Sequence, residues 1–254
     1  IPLRLVGSEM CIRDRDITTT NDNVTFASAT NLTGPVSIDT GAGIGNIVFQ
    51  STVDGAQALS LTAGAGNISF ADTVGSVSPL QSLTINSADN VTFQATVSTV
   101  NDLTQITGTG TTTFNGTSGT GIGGQLSVTT RAIVLNSSTF TTVGAVLLSA
   151  DDAITLNAGL DAGNSTITIH ANTTGADAAG FTQTAGIIQT TNSSANSVSI
   201  TVGGTGDAAI RDIRSNTTSG IVTITVAGGN ISDNLTGEGA NVTAAGLALI
   251  SSTG

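Results

Sequence analysis

Apolar residues in this chain alternate with small polar residues over short stretches, and glycine, asparagine and aspartate separate the stretches. The clearest apolar pairs are Val36 with Ile38, Leu59 with Leu61, Leu83 with Ile85, and Leu126 with Val128. A period of two places such pairs on one face of a β-strand, because successive side chains in a strand point to opposite faces. Gly-rich triplets such as 41–43 and 64–66 favour tight turns. The pattern therefore predicts an all-β chain of many short strands.

A short repeat underlies the alternation, and phenylalanine marks its register. The stretches 23–26, 46–49, 67–70 and 90–93 each begin with Asn and end with Phe, and 111–114 is a looser copy that also ends with Phe. An apolar run follows each Phe at a similar distance along the chain, and the runs end at Ile38, Leu61, Ile85, Ile106 and Val128. A unit of this length is too short for a β-sandwich domain of ~100 residues, but it matches one coil of a β-solenoid.

We therefore predict a parallel β-helix, that is, a β-solenoid with coils of ~22 residues stacked at the ~4.8 Å spacing of paired strands. About eleven such coils account for the chain. In this arrangement the phenylalanines of successive coils stack in the interior. The asparagines that begin the Phe strands are expected to form a second ladder, which satisfies backbone groups at the bend. A single coil cannot bury its apolar face, so only the array folds.

The repeat changes character near Arg131. Residues 16–130 hold the regular Phe-register coils, whereas in residues 131–254 short Gly- and Asn-bounded strands continue while the Phe register lapses. No linker-like run separates the two regions, so residues 16–254 are predicted to be a single repeat array. We expect this array to be a fragment of a larger protein.

The first fifteen residues differ in composition from the remainder. They hold Cys11, the only cysteine of the chain, together with the only methionine and three of the six arginines. Residues 4–15 resemble the translation of a widely used transposase-type sequencing adapter, and the match is continuous over 6–14. We interpret residues 1–15 as adapter-derived and expect them to add nothing to the fold. A lone cysteine is in any case insufficient for a redox or metal site.

Composition and charge narrow the classes of function. The net charge is -11, with six arginines and no lysine. The chain therefore lacks the basic residues needed to neutralise nucleic-acid phosphates or to bind anionic membrane surfaces. No apolar run approaches the ~20 residues of a membrane-spanning helix. We therefore predict no nucleic-acid partner, no membrane span in this segment and no cofactor.

Residues 144–169 (GAVLLSADDAITLNAGLDAGNSTITI) have the order of strand, Asp/Asn turn and strand that is typical of giant bacterial surface proteins. In this order and in composition the chain resembles filamentous-haemagglutinin-like adhesins and autotransporter passengers. The resemblance implies a right-handed parallel β-helix, export, and an extracellular or cell-surface location. It also implies a role as a stalk or adhesin, with a host or environmental surface, a glycan or other cells as the partner.

Two function hypotheses of different classes follow. The first is a non-enzymatic structural or adhesive stalk segment of a large exported surface protein. The second is a β-helix polysaccharide lyase or hydrolase, which needs acidic and basic side chains grouped in a groove. Aspartates clustered with Arg131, Arg211 or Arg214 in a cleft would favour the enzyme, whereas scattered acids would favour the structural segment. No catalytic, cofactor-binding or metal-binding residue is assigned from the sequence.

Most candidate site residues have a structural interpretation that the sequence favours. His170 ends an alternating strand and is predicted to point outward as a surface side chain. Asp151 and Asp152 are predicted to be turn residues, with calcium binding as the alternative. The segment 203–211 is similar to a calcium-binding nonapeptide, but Asp207 stands one position early and the segment occurs once.

Two further motifs have alternative interpretations. The Gly-rich segments 41–46 and 119–124 mimic a phosphate-binding loop, but no Lys follows them, so both are predicted to be turns. An ice-binding solenoid is the alternative raised by outward Thr pairs. These are Thr166 with Thr168, Thr223 with Thr225, and the substituted pair Ser199 with Thr201.

Stacked coils also predict a mode of self-association. An uncapped terminal coil exposes a row of backbone N–H and C=O groups that can pair with another chain. We expect residues 16–254, produced alone, to associate end to end as salt rises, because screening weakens the repulsion between acidic chains.

Overall fold

The computed structural model describes residues 3–5, 11–13, 15–116, 121–136, 139–237 and 239–251. All regular elements in these ranges are β-strands, and the strands pair in parallel and stack as a β-solenoid of about 10 turns with ~23 residues per turn. The predicted all-β solenoid is therefore confirmed, and its repeat length is close to the predicted one. Among the described residues there is no helix with the length and apolarity needed to cross a membrane.

The chain separates into two compact units, Ile1–Thr130 and Arg131–Gly254. The division falls where the Phe register lapses in the sequence. The strands of the N-terminal unit are β1 (Leu3–Leu5), β2 (Cys11–Arg13), β3 (Ile17–Thr18), β4 (Val24–Phe26), β5 (Thr30–Leu32), β6 (Val36–Asp39), β7 (Ile47–Phe49), β8 (Val53–Asp54), β9 (Ala58–Thr62), β10 (Ile68–Phe70), β11 (Ser82–Ser87), β12 (Val91–Phe93), β13 (Leu103–Gln105), β14 (Thr111–Phe114) and β15 (Leu126–Thr130). The strands of the C-terminal unit are β16 (Ala132–Leu135), β17 (Phe140–Thr141), β18 (Val146–Ala150), β19 (Ile154–Leu156), β20 (Leu160–Asp161), β21 (Ile167–Ala171), β22 (Phe181–Gln183), β23 (Ile188–Gln189), β24 (Val198–Val202), β25 (Ala208–Ile210), β26 (Ile213–Arg214), β27 (Ile221–Val226), β28 (Ile231–Asp233), β29 (Val242–Thr243) and β30 (Gly246–Ser251).

The strands of the N-terminal unit form three parallel sheets. Sheet 1 has the order β1-β4-β7-β10-β12-β14, sheet 2 the order β3-β6-β9-β11-β13-β15, and sheet 3 the order β2-β5-β8. Parallel bridges join Val53 to Val74 and Val74 to Val97, and they extend sheet 3 beyond its named strands. Successive turns therefore return to the same three sheets, which is how a short repeat builds one continuous core.

The apolar pairs that the alternation singled out face inward. Val36 and Ile38 of β6 are buried, and Ser37 between them is half-buried. Leu59 and Leu61 of β9 are aligned with them by the strand register. Because a slip of one residue would turn every side chain to the opposite face, the apolar pattern fixes this register.

The predicted phenylalanine stack is confirmed. Phe26, Phe49, Phe70, Phe93 and Phe114 occupy aligned inward positions of sheet 1, and none is more than 1% exposed. Adjacent ring centroids lie 4.7, 5.0, 4.9 and 4.8 Å apart, and the interplanar angles are 6°, 1°, 4° and 6°. These spacings match the ~4.8 Å between paired strands. The backbone ladder therefore sets the distance at which the rings stack.

The predicted asparagine ladder is also confirmed. The Oδ1 atom of Asn23 accepts hydrogen bonds from the backbone N and the Nδ2 of Asn46, at 2.8 and 3.1 Å. The same pair of bonds joins Asn67 to Asn46, at 2.8 and 3.1 Å, and Asn90 to Asn67, at 3.2 and 2.9 Å. The backbone N of Thr111 then donates to Asn90 Oδ1 at 2.8 Å. Each asparagine thus satisfies a backbone donor of the following coil at the point where the chain bends.

The coil whose apolar run ends at Ile106 differs from the other four, because Ile106 does not face inward. Leu103 and Gln105 of β13 hold the inward positions, so Gln105 is 1% exposed whereas Ile106 is 56% exposed. The period of two decides this outcome, because position 105 must face inward once Leu103 does. The hydroxyl of Thr112 donates to Gln105 Oε1 at 2.6 Å, which partly offsets the cost of burying a polar side chain.

The C-terminal unit repeats the arrangement with different core residues. Its sheets have the orders β16-β19-β22-β25-β28, β18-β21-β24-β27-β30 and β17-β20-β23-β26-β29. Leu135 of β16 is aligned with Leu156 of β19, and both are buried. Phe181 of β22 is aligned with Ile154 rather than with Leu156. In the sheet that contains β16, β19 and β22, phenylalanine therefore does not recur at one aligned position, in agreement with the lapse of the Phe register.

Turns in the C-terminal unit differ in length. Val146 of β18 is aligned with Ile167 of β21, and Ile167 is aligned in turn with Val198 of β24, so the second of these turns uses the longer stretch of chain. Part of the extra length lies in the loop after Asn172, whose Nδ2 donates to the carbonyl oxygen of Asp177 at 2.8 Å. Longer turns explain why the chain makes about 10 turns rather than the predicted eleven.

Two stretches of the first fifteen residues pair with later strands. Leu3 of β1 is aligned with Val24 of β4, and Cys11 of β2 is aligned with Thr30 of β5. Residues 6–10 and 14, which carry most of the adapter match, lie outside the described residues. The expectation that residues 1–15 add nothing to the fold is therefore wrong, because this segment adds two strands to the first coil.

We expect a recombinant chain that begins at Asp16 to keep the thermal midpoint of unfolding of the full chain. Coils of a repeat array contact mainly their neighbours, so removing β1 and β2 opens one edge and leaves the other coils intact. Far-UV circular dichroism during heating measures the midpoint of both chains. Loss of cooperative unfolding on truncation would show that these two strands hold the array together.

Candidate functional site

Carboxylates are the most numerous ionisable groups of the chain, and many of them bind backbone amides within their own turn. Asp39 Oδ1 accepts a hydrogen bond from the Gly41 N at 2.8 Å, and Asp161 Oδ1 accepts one from the Gly163 N at 2.8 Å. Such Asx turns satisfy backbone donors that the strand ladders do not reach. Asp72, Asp177 and Asp233 have the same role.

Other aspartates join one coil to the next. The backbone donors that reach them are Ser37 N to Asp16 at 2.8 Å, Val77 N to Asp54 at 2.9 Å, Gln125 N to Asp102 at 2.7 Å, and Asn230 N to Asp207 at 2.7 Å. Asp207, in the nonapeptide-like segment 203–211, also accepts from Asn230 Nδ2 at 3.2 Å. It therefore acts as the asparagines of the ladder do in the N-terminal unit.

Asp151 and Asp152 lie at the bend between β18 and β19, and they have different partners. Asp151 Oδ1 accepts a hydrogen bond from Thr173 Oγ1 at 2.7 Å, and Asp152 Oδ2 lies 3.6 Å from Arg131 Nε. The Arg131 side chain is 65% exposed, so solvent screens this ion pair and it contributes little to stability. In the ranges that the structure describes, no group of three or more His, Cys, Asp or Glu residues could hold a metal ion.

Among the described residues of the C-terminal unit, Arg214 and Asp233 have shifted pKa values. The Asp212 carboxylate accepts from Arg214 Nη2 at 2.7 Å and from Nε at 3.0 Å, and this hydrogen bonding, with the charge of Asp212, raises the pKa of Arg214. Hydrogen bonds from the Asn241 side chain and from the Leu235 backbone lower the pKa of Asp233. Because the folded-state pKa of Asp233 is lowered, the stability that it contributes is lost as pH falls through that pKa.

The described surface contains shallow clefts. His170 is half-buried on the outward face of β21, and with Asn172 and Thr201 it lines a cleft of about 260 Å³. In the N-terminal unit, Asp39 lines a cleft of about 480 Å³ and Asp16 lines one of about 310 Å³. No arginine lines any of these three clefts, so they lack the combination of acids and arginine that the enzyme hypothesis needs.

The Gly-rich segments 41–46 and 119–124 lie between strands, where their described residues form bends and a single bridge. Gly41 has a φ of 85° and Gly121 a φ of 105°, in the left-handed region that favours glycine. The first two residues of the second segment lie outside the described residues. Within the described ranges neither segment precedes a helix, so neither has the architecture of a phosphate-binding loop.

Outward hydroxyls of the C-terminal unit form columns that other residues interrupt. One column runs from Leu147 through Thr168, Ser199 and Thr223 to Ala248, and its neighbour runs from Ser149 through His170, Thr201 and Thr225 to Ile250. Thr166 precedes β21. The columns mix hydroxyl, aliphatic and imidazole groups, whereas the ice-binding alternative rests on a uniform array of Thr pairs.

Buried amide side chains are the polar feature that the sequence interpretation missed. Gln183 is fully buried, and it donates to the carbonyl oxygen of Asp212 at 2.8 Å and accepts from the Asp212 N at 3.2 Å. By contrast, Gln105 Nε2 and Asn172 Oδ1 have no hydrogen-bond partner among the described residues. The alternation Phe181-x-Gln183 was the signal that could have placed Gln183 inside.

Many of the charged groups already have structural partners. Carboxylates such as that of Asp54 accept hydrogen bonds from backbone N–H groups. An arginine that is paired with an aspartate is likewise already engaged by a structural partner, as Arg214 is by Asp212. Comparison of the chain with protein-family models, with curated proteins and with solved structures finds no match.

Proposed function

We propose that this chain is a non-enzymatic structural or adhesive stalk segment of a large bacterial surface protein that is exported to the cell surface or the extracellular space. Its partner in this proposal is a host or environmental surface, a glycan or another cell. The observation that carries the proposal is the use of aspartates as acceptors for backbone N–H groups, as in Asp54 and Asp102.

Catalytic carboxylates need a different environment from the one these aspartates have. A general acid or base must be open to its substrate and lie within hydrogen-bond reach of the proton that it transfers. Asp54 instead accepts from two backbone donors of the next coil, Val77 N at 2.9 Å and Ser78 N at 3.1 Å. This use of charge supports a structural role.

The repeated construction of the core supports the same role. Within the N-terminal unit, the phenylalanine stack and the asparagine ladder use equivalent residues in successive coils. An array of this kind can be lengthened by repetition without altering any single site, because each coil depends on its neighbours only. That property suits a segment that holds other parts of a surface protein at a distance.

Incubation with polysaccharides tests the non-enzymatic part of the proposal. The purified chain, mixed with neutral and with uronic-acid-containing polysaccharides, should release no new reducing ends and no unsaturated products. Release of either would overturn the proposal. In that case Asp152→Asn and Asp212→Asn, which remove the carboxylates paired with Arg131 and Arg214, would identify the ion pair responsible.

Labelling of intact cells tests the location. Antibodies raised against the purified chain should label intact cells of the bacterium that encodes it, and protease added outside the cells should remove the label. An antibody against a cytosolic protein serves as the control for cell integrity. Labelling that requires permeabilised cells would contradict export.

We expect a recombinant chain of residues 16–254 to self-associate end to end. Leu247 and Leu249 of β30 are aligned with the buried residues Val222 and Ile224 of β27, yet they are 49% and 54% exposed. A second copy can cover these side chains and pair with the outer edge of β30. Light scattering should show a mass that rises with protein concentration and with salt, because screening over ~8–10 Å weakens repulsion between acidic chains. A stable monomer at high concentration and high salt would contradict this expectation.

A further inference from the structure

The only Asn–Gly dipeptide of the chain, Asn115–Gly116, directly follows Phe114 at the end of β14. Both residues are half-buried, so water reaches them. We propose that Asn115 is a site of spontaneous deamidation, in which the backbone nitrogen of Gly116 attacks the side-chain amide of Asn115. This inference is independent of the proposed function.

The reaction balances with water as the only co-reactant. The Gly116 nitrogen forms a bond to Asn115 Cγ, the bond from Cγ to Nδ2 breaks, and the Gly116 amide proton leaves with the side-chain nitrogen as ammonia. The five-membered succinimide ring then takes up one water molecule at either of its two carbonyl carbons. One direction of opening gives aspartate, and the other gives isoaspartate, in which the main chain runs through the former side chain.

The surroundings of Gly116 favour the first step. Among the described residues no hydrogen-bond acceptor engages the Gly116 nitrogen. Glycine has no Cβ, so nothing on the attacking residue crowds the ring as it closes. The Asn115 Nδ2 donates to Gln94 Oε1 at 2.9 Å, which keeps the amide on the outside of the solenoid.

Packing between coils requires glycine at position 116. A Cβ built there would lie 1.9 Å from the carbonyl carbon of Ala95 and 2.1 Å from its oxygen, both of which are backbone atoms of the preceding coil. No larger residue fits without moving the two coils apart. The close approach of the two coils thus requires glycine after Asn115. A larger residue at position 116, which would slow the reaction, does not fit.

Asn157 provides a matched comparison inside the same chain. It follows Leu156 at the end of β19, its backbone N donates to the Leu135 O at 2.7 Å, and its Nδ2 donates to Asn136 Oδ1 at 2.8 Å. Asn115 has the equivalent bonds, with its backbone N donating to the Phe93 O at 2.8 Å.

The two sites differ in the residue that follows and in one further contact, because Thr184 Oγ1 also donates a hydrogen bond to Asn157 Oδ1. Asn157 is followed by Ala158, which is 4% exposed, whereas Asn115 is followed by Gly116. A methyl group on the attacking residue hinders ring closure at Asn157. The structure therefore predicts loss of the amide at Asn115 and its retention at Asn157.

The two products differ in their effect on the fold. Aspartate at position 115 keeps the main chain unchanged and adds one negative charge beside Gln94. Isoaspartate inserts a methylene group into the main chain, which shifts the residues after position 115 relative to the coil that holds Ala95. The isoaspartate fraction should therefore unfold at a lower temperature than the unmodified protein.

Mass spectrometry of the aged, folded protein tests the proposal. After incubation at mildly alkaline pH, the peptide that contains Asn115 should gain the mass that accompanies replacement of NH₂ by OH. It should separate by chromatography into aspartate and isoaspartate isomers, while the Asn157 peptide stays unchanged. The Asn115→Gln variant, which keeps an amide opposite Gln94, should fold with the same thermal midpoint and show no such gain.

A denatured sample shows whether the fold permits the reaction. The Asn115 amide should be lost both in folded protein and in protein held in urea. Loss in urea alone would show that the solenoid protects Asn115, and it would overturn the proposal. An Asn115 peptide that changes no faster than the Asn157 peptide in the folded protein would overturn it as well.

Discussion

Replacement of Phe70 by alanine should lower the free energy of unfolding by about 3–5 kcal/mol, as truncation of a buried aromatic residue does. The Phe70 ring is fully buried, and it stacks on Phe49 at 5.0 Å and on Phe93 at 4.9 Å. Its removal leaves a cavity between two rings that the strand ladders hold in place, so the coils cannot close the gap. Urea unfolding followed by far-UV circular dichroism measures the loss, since the chain has no Trp or Tyr for fluorescence.

Phe70→Leu is the matched control. Leucine occupies aligned inward positions of the C-terminal unit, at Leu135 and Leu156, so this kind of coil accepts it. The leucine variant should lose less stability than the alanine variant, because it refills most of the cavity and forfeits mainly the ring stacking. A loss below about 1 kcal/mol for Phe70→Ala, which is closer to the range of surface substitutions, would contradict the stack.

Replacement of Gly66 by alanine should destabilise the N-terminal unit by about 1–3 kcal/mol or more, because it overpacks the contact between two coils. A Cβ at Gly66 would lie 2.1 Å from the Gly45 O and 2.6 Å from the Gly45 C. Both are backbone atoms, so relief requires the coils to move apart. The Asp89 N donates to the Gly66 O at 2.7 Å, so the movement also strains the hydrogen bond to the following coil.

Gly246→Ala tests the same substitution where there is space. A Cβ at Gly246 first meets Ile221 Cγ1, at 3.3 Å, and a side chain of this kind can yield by a few tenths of an ångström. Thermal unfolding of both variants provides the comparison, and the Gly246 variant should change by less than about 0.5–1 kcal/mol. If both variants lose the same free energy of unfolding, the close approach of Gly66 to Gly45 is not the reason that position 66 requires glycine.

Local periodicity was enough to predict the core of the N-terminal unit. The alternation of Val36 and Ile38 gives the inward face of β6, and the recurrence of Phe49 and Phe70 gives the register between coils. Both signals are local because each coil stacks on a near copy of itself. The asparagine ladder follows from the same recurrence, since Asn46 precedes β7 as Asn67 precedes β10.

Features that depend on residues far apart in sequence could not be predicted in this way. Hydrophobicity favours Ile106 over Gln105 as a core residue, but the strand register and the nearby Thr112 hydroxyl decide in favour of Gln105. Asn172 holds its loop partly through the Gly203 O of the next coil, at 3.1 Å. The role of Asn172 therefore depends on a loop whose conformation the sequence pattern does not specify.

The candidate chemistry was predictable only in outline. Sequence indicated that Asp151 and Asp152 belong to a turn, but it did not show that Thr173 and Arg131 bind them separately. The offset between coils determines which backbone amide reaches a given carboxylate, and this offset varies with turn length. The turn position of these aspartates could therefore be predicted from residue type, whereas their hydrogen-bond partners could not.

Excision of one complete coil tests most directly whether the coils are interchangeable structural units. Deleting residues 50–70 joins Phe49 to Ala71 and removes one complete repeat, so that Phe49 can stack on Phe93. The control deletion, residues 50–60, removes half a coil and places the following strands out of register.

Thermal unfolding followed by far-UV circular dichroism compares the two deletions. We predict a single cooperative transition after removal of the complete coil and loss of cooperativity in the N-terminal unit after removal of half a coil. Loss of cooperative unfolding on removal of the complete coil, or the same behaviour in both deletions, would contradict this prediction.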